Sequence, residues 1–258
     1  MDIQLYQGIE GAKQAKGLTV IIDVFRAFSV EAYFFSAGAE KIIPVGDIEK
    51  AYALKQRYPQ YVLAGERHGR ILPGFDCGNS PYENRAMDVA GKTIIHTTSA
   101  GTQGVANAIR ATEILGCSLV NAGATAAYIQ AAEATTVSLV CMGLEGVEET
   151  AEDTLCARYI KSILEKSVMD ITEEVEKLKK SSGKKFFDVD QRTVFPEQDF
   201  YLCTAVDRFD FVLRYISEAG EGFFRKESGI VGSRQAGEKT PYSCLKPGKN
   251  VYGCAEEE

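Results

Sequence analysis

The sequence predicts an α/β fold, a three-layer architecture with a mostly parallel sheet, helices on both faces and a less regular C-terminal portion. Three observations predict it. Short apolar, β-branched runs alternate with helical patterns from residue 18 to residue 165, as in a parallel sheet covered by helices. The runs are continuously apolar, as strands buried on both faces are. Polar residues gather just after the runs, where open α/β sheets bind their ligands.

Residues 18–22 read as a buried strand ending at Asp23. A helix follows over 27–37, with Gly38 placed to end it. Residues 41–45 form the next strand. Asp47 suits an N-cap for a helix through Arg57, and Glu49 in its first turn complements the dipole. Residues 61–64 make a third strand. The stretch 65–81 is rich in Gly, Pro, Asp and Asn, and is longer than ordinary βα connections. Strands are expected at 93–96, 118–120 and 137–141, and helices at 100–110, 124–133 and 151–165.

Beyond Ser167 the pattern weakens. Residues 177–185, mostly basic, read as an exposed helix end and turn. Residues 196–209 suggest a helix leading into a strand at 211–215. The last forty or so residues carry Gly, Pro and Lys without a clear period, and Glu256, Glu257 and Glu258 read as a frayed tail. Residues 1–166 are expected to form the main domain and carry most of the site. Residues 167–258 are expected to pack on it, as an extension or as a second small α/β lobe.

Bulk composition narrows the function. A chain of 258 residues with 45% hydrophobic and 25% charged residues can bury an ordinary core. The net charge of −7 disfavours nucleic-acid binding, which relies on Lys and Arg. No apolar stretch approaches the roughly 18 residues of a spanning helix. The start, Met1-Asp2-Ile3-Gln4-Leu5, has no basic region followed by an apolar one, so a cytoplasmic protein without a membrane partner is expected. Seven scattered cysteines form no C-x-x-C pair and read as reduced apolar fillers. Two histidines, His68 and His96, exclude a His-rich metal site.

Six polar clusters stand out, five of them after expected strands and one within the long loop. Asp23 and Arg26 combine an acid suited to Mg²⁺ with a guanidinium suited to phosphate; the plainer account is a cap with a local ion pair. Glu66 and Arg67 open the long loop with the same pairing, beside the less telling His68 and Arg70. Asp76, Asn79 and Ser80 lie within Gly74–Pro81, a run of turn formers that also lets backbone approach a ligand. Thr97, Thr98, Ser99, Gly101 and Thr102 join a strand to a helix start, where free N–H groups and hydroxyls favour an anion. It is no P-loop, because the required glycine–lysine spacing is absent. Asn121 follows a later strand. Glu152 and Asp153 open a helix, where they complement its dipole or hold a metal.

Together and in this order, these blocks resemble the 2-phosphosulfolactate phosphatase family, known from coenzyme M biosynthesis. The match is carried by Asp23-Val24-Phe25-Arg26-Ala27, Gly65-Glu66-Arg67, Gly74-Phe75-Asp76-Cys77-Gly78-Asn79-Ser80-Pro81, Thr97 to Thr102, Asn121 and Glu152-Asp153, with a fainter echo at Asp199, Cys203 and Asp207. Ala100 stands where members often carry Asn. The resemblance implies Mg²⁺-dependent hydrolysis of the phosphate monoester of a small, anionic, sulfonated acid, 2-phosphosulfolactate, to 3-sulfolactate and phosphate.

On that reading Asp23, Arg26, Glu66 and Asp76 are catalytic candidates. Arg67, Asn79, Ser80, Thr97, Thr98, Ser99, Gly101, Thr102 and Asn121 bind substrate. Asp23, Glu152 and Asp153 hold Mg²⁺. A homodimer is compatible with it. Two alternatives stay open. One is a covalent aspartyl intermediate at Asp23, as in haloacid-dehalogenase-type phosphatases, although Phe25 stands where that motif has a second Asp. The other is a non-catalytic protein that binds a phosphorylated metabolite, which would gain nothing from so many acids.

Overall fold

The computed structural model describes residues 1–218 and 220–228. The chain begins with β1 (Asp2–Gln7), α1 (Gly8–Gln14), β2 (Gly17–Ile22), α2 (Ala27–Ser36), β3 (Lys41–Pro44) and α3 (Ile48–Arg57). It continues through β4 (Val62–Arg67), the short β5 (Arg70–Ile71), α4 (Pro81–Asn84), β6 (Thr93–Thr97), α5 (Gly101–Asn107) and β7 (Ala111–Cys117). Then come α6 (Ala122–Ala131), β8 (Thr136–Cys141), α7 (Ala151–Leu164), α8 (Thr172–Leu178), α9 (Glu197–Cys203), β9 (Phe211–Glu218) and β10 (Glu221–Ser228).

All ten strands join one mostly parallel sheet in the order β1-β8-β2-β7-β9-β10-β3-β6-β4-β5. The strand period of two divides the side chains between its faces. Along β2, Val20 and Ile22 enter the core beneath α6 and α7, whereas Ile21 enters the one shared with α1 and α2. Along β8, Val137, Leu139 and Cys141 take the first side and Val140 the second. A third cluster, with Ile43, Leu63, Ile95 and Phe223, lies under α3. The predicted three layers are therefore present, and the region between α7 and β9 is the less regular part.

The sheet holds two parallel groups. β1, β8, β2 and β7 form one, and β3, β6 and β4 the other. The β9–β10 hairpin joins them through three antiparallel steps, so the second group is reversed relative to the first. Flat pairing would leave the carboxyl ends of the groups at opposite edges. A twist of roughly 20–25° per strand accumulates to about a right angle over the five steps from β2 to β6. The tips of β2 and β6 consequently meet: Gly101, just past β6, donates its N–H to Asp23, just past β2.

Several boundaries differ from the sequence reading for physical reasons. β1 and α1 escaped it because β1 is an edge strand, largely exposed, with polar residues at half its positions. The strand expected at 118–120 lies earlier, at Ala111–Cys117, its first half masked by Thr112 and Glu113. Residues 119–121 form a 3-10 turn capped by Ser118, with Asn121 bonding back. The helix expected to reach residue 110 stops at Asn107, and the loop after residue 65 begins as a continuation of β4. Cys77, Cys117, Cys141, Cys156 and Cys203 are buried and free, as expected of apolar fillers. Cys244, Cys254 and the acidic tail lie outside the described residues. Among the described residues, no helix is long and apolar enough to cross a membrane.

Phe224 tests the junction of the two groups. It is fully buried, pairs with Ile42 of β3, and packs edge-on against Phe28 at 5.6 Å between ring centres. Phe224→Ala is expected to lower stability by about 3–5 kcal/mol in urea denaturation. A loss below about 1 kcal/mol would mean that the hairpin is not the bridge.

Candidate active site

Loops from both parallel groups enclose a cavity of about 220 Å³. Asp23 and Arg26 reach it from the β2–α2 turn, Glu66 from β4, Gly69 from the β4–β5 turn, and Asn79 from the loop before α4. Thr98, Ser99 and Ala100 come from the β6–α5 turn, Gly143, Leu144, Glu145 and Thr150 from the loop after β8, and Glu152 from α7. Phe25, His68, Lys185 and Phe195 complete the wall.

The acids are fixed by backbone amides. Asp23 accepts from Ala27 N–H at 3.1 Å through Oδ1 and from Gly101 N–H at 2.8 Å through Oδ2. Glu66 accepts from Ser99 N–H at 2.9 Å and Gly69 N–H at 2.6 Å. Asp153 accepts from Val24 and Gly143 N–H, both at 2.8 Å. Of the β6–α5 amides expected to cradle phosphate, those of Ser99 and Gly101 are thus occupied by the protein's own carboxylates and those of Thr98 and Thr102 by its hydroxyls. Gly101 is required at this approach, since a Cβ there would stand 2.9 Å from Asp23 Oδ2.

Arg26 is pinned by a buried ion pair. Its Nη1 donates to Asp199 Oδ2 at 2.7 Å and to the Val194 carbonyl, its Nη2 donates to the Gly69 carbonyl, and its plane lies over Phe195. Asp199, on α9, also accepts from Ser80 Oγ–H and Tyr82 N–H. Ser80 therefore supports Arg26 and does not line the main cavity. A smaller recess of about 120 Å³, walled by Arg26, Asn79, Ser80 and Arg70, lies alongside.

Other predicted residues are placed elsewhere. Arg67 donates to the Glu66 and Gly46 carbonyls and to Thr97 Oγ1, bracing the strand tips behind the cavity. Thr102 exchanges hydrogen bonds with Thr98. Asp76 is exposed, where it pairs with Lys55 and accepts from Leu63 N–H, so it closes a turn. Asn121 closes the capped turn after β7. Asp153 ties the tips of β2 and β8 together and does not line the cavity.

Lys185 is the residue that sequence reasoning missed. It was read into an exposed basic turn, yet it lines the cavity, with its Nζ 5.0 Å from the Phe195 ring centre. Phe186, fully buried, anchors this turn, and the Lys-Phe-Phe sequence was the available signal. Among the described residues no carboxylate pairs with Lys185 at ion-pair distance. Burial lowers the pKa of its ammonium, opposed by the nearby Glu152.

Burial likewise pushes Asp23 up to about 6, against the two amide bonds, with Glu66 and Glu152 adding repulsion. Burial, then Glu152 and Asp23, drive Asp153 well above the usual carboxylate range. The cavity holds more acid than base, and Glu152 Oε2, Ser99 Oγ and Thr150 Oγ1 are buried there without partners among the described residues. Among the described residues no group of three His, Cys, Asp or Glu side chains can hold a metal alone. Mg²⁺ asks for less: one or two carboxylates, waters and substrate phosphate suffice. The all-oxygen donor set and the orphaned Glu152 oxygen fit such an ion.

An α/β sheet whose tips converge on amide-held carboxylates, a pinned arginine and a lysine without a carboxylate partner among the described residues is the arrangement of an enzyme's candidate site. The 2-phosphosulpholactate phosphatase family model matches residues 3–218, and the chain belongs to this family of phosphoric monoester hydrolases. It is similar to a probable 2-phosphosulfolactate phosphatase of Bacillus subtilis (strain 168), 34% identical over 86% of this chain and 96% of the relative. Relatives of the same name from Caldanaerobacter subterraneus subsp. tengcongensis and Thermoplasma acidophilum are 34% and 31% identical. They cover 81% and 77% of this chain, and 92% and 86% of their own lengths.

Asp23 gives a pH dependence with a definite sign. Its folded pKa of about 6 exceeds the ordinary 3.8, so the native state binds more protons between these values. The resulting stability is complete below pH 3.8 and is lost as pH rises through 6. Without divalent metal, stability should fall by up to about 3 kcal/mol over this window. Asp23→Asn should flatten that slope in urea titrations. An equal slope in both proteins would assign the effect to other groups. Arg26→Ala, which strands buried Asp199, is expected to cost about 3–5 kcal/mol in the same assay.

Proposed function

We propose that the chain hydrolyses the phosphate monoester of 2-phosphosulfolactate to 3-sulfolactate and phosphate, with Mg²⁺ as its cofactor. The relatives' names support the substrate. The observation that carries the reading is a set of buried atoms around one cavity with no partner among the described residues, Ser99 Oγ, Thr150 Oγ1 and Glu152 Oε2, beside a lysine, Lys185, with which no described carboxylate pairs. Such groups are costly to bury unless a ligand satisfies them.

Glu152 and Glu66 would hold Mg²⁺, which when bound screens the phosphoryl oxygens and lowers their repulsion of the attacking water. Lys185 and the Arg26 guanidinium supply the positive charge that draws the anion into an acidic protein. The hydroxyls of Ser99 and Thr150 donate to its oxygens and orient it. Asp23, with a pKa near neutrality, takes the proton of the attacking water. The water oxygen bonds to phosphorus as the P–O ester bond breaks, the departing alkoxide takes up the proton that Asp23 accepted, and phosphate leaves. Phe25 occupies the position of the second acid in haloacid-dehalogenase-type phosphatases, which favours water attack over an aspartyl phosphate.

Phosphate release from 2-phosphosulfolactate is the test. Metal-dependent release is expected from the wild type. Asp23→Asn should lower kcat by about 10²–10⁴-fold. Lys185→Met should raise KM about tenfold or more with a smaller change in kcat. No metal-dependent release by the wild type would overturn the reading, and Asp23 phosphorylated after acid quench would replace water attack by the covalent route.

A further inference from the structure

A second polar chain runs through the protein behind the cavity. Glu31, in the middle of α2, and His96, on β6, are both completely buried. Glu31 Oε1 lies 2.8 Å from His96 Nδ1, and His96 Nε2 lies 3.2 Å from Asn79 Oδ1. Neither Glu31 nor His96 lines the cavity, whereas Asn79 does, and it lines the smaller recess as well. A buried ion pair contributes little stability over an apolar pair of the same shape, so fold stability alone does not account for it.

Proton counting does. One proton lies between Glu31 and Nδ1, whichever of them owns it. With no second proton the buried pair would carry a net negative charge, and a second proton placed on Glu31 Oε2 would be a buried donor with no acceptor among the described residues. A second proton on Nε2 makes the pair neutral, which burial strongly favours. Burial also raises the Glu31 carboxyl pKa, while the bond to His96 lowers it. A protonated Nε2 must donate, so it selects the oxygen of the Asn79 amide. The Asn79 NH₂ is then turned the other way. It makes no hydrogen bond to the described protein, and it is not among the buried partnerless atoms.

We propose that the Glu31–His96 pair is a positioning device that holds two protons and locks Asn79 with its NH₂ group facing the cavity, where it donates to an anionic oxygen of the substrate. Asn79 is the residue that touches the ligand; Glu31 and His96 act only through it. Were the amide turned over, its carbonyl would face the phosphorylated substrate and repel it. The donor role rests on the phosphatase reading, but the orientation does not.

The chain's two histidines make the orientation measurable. Imidazole ¹⁵N NMR of the full chain without substrate should show His96 Nε2 protonated at pH 8, with exposed His68 assigned through His68→Ala. Bare Nε2 would turn the Asn79 oxygen toward the cavity and overturn the proposal, whether or not the protein hydrolyses anything. Kinetics test the coupling. Glu31→Gln and Asn79→Ala should each raise KM for 2-phosphosulfolactate about tenfold, with kcat changed less and thermal melting retained. The double variant should lose no more than Asn79→Ala alone. Additive losses would reduce the pair to a structural role and sink the coupling, even with Nε2 protonated.

Discussion

Three buried carboxylates, each held by two backbone N–H groups, set the geometry on which this site depends. Asp23 joins its own helix start to the β6–α5 turn, Glu66 joins that turn to the end of β4, and Asp153 joins the tips of β2 and β8. A carboxylate taken from water needs donors, and strand tips and helix starts supply them. The same bonds that make these acids tolerable also fix their positions to within hydrogen-bond tolerance. The anion-binding character of the turn after β6 is real, but its first occupants are the protein's own side chains.

This arrangement leaves an electrostatic imbalance. Asp23, Glu66 and Glu152 crowd one cavity, and Asp23 and Asp153 take up protons more readily than ordinary acids. Arg26 is largely committed to Asp199, and Lys185 lines the cavity with no carboxylate among the described residues at ion-pair distance. The destabilisation stored in crowded carboxylates is the common accompaniment of a functional site.

The resemblance read from the sequence led to the right family, and the blocks that carried it are mostly where the structure converges. Asp23, Arg26, Glu66, Asn79, Thr98, Ser99 and Glu152 reach the cavity or its wall. Asp76 and Asn121 were chosen by the same logic, yet they close turns, because a short polar side chain in a turn-rich segment satisfies local backbone as readily as a ligand. Lys185 and Asp199 lie far along the chain from the other blocks. The apolar Phe186-Phe187 beside Lys185 and the faint echo at Asp199 hint at them, but only packing brings them to the site.

Continuous β-branched runs and their polar ends were enough to determine the class of fold and most of the strand tips that carry chemistry. Those features are local: they follow from side-chain period and burial over a few residues. The sequence could not show that two parallel groups run in opposite senses, because that depends on a hairpin some hundred residues after β7 begins and on twist summed over many strands. It could not say which acids meet, which amides hold them, or that His96 links Glu31 to the cavity. Those are contacts between residues distant in the chain, decided only when the tertiary structure removes them from water and obliges each polar group to find a partner.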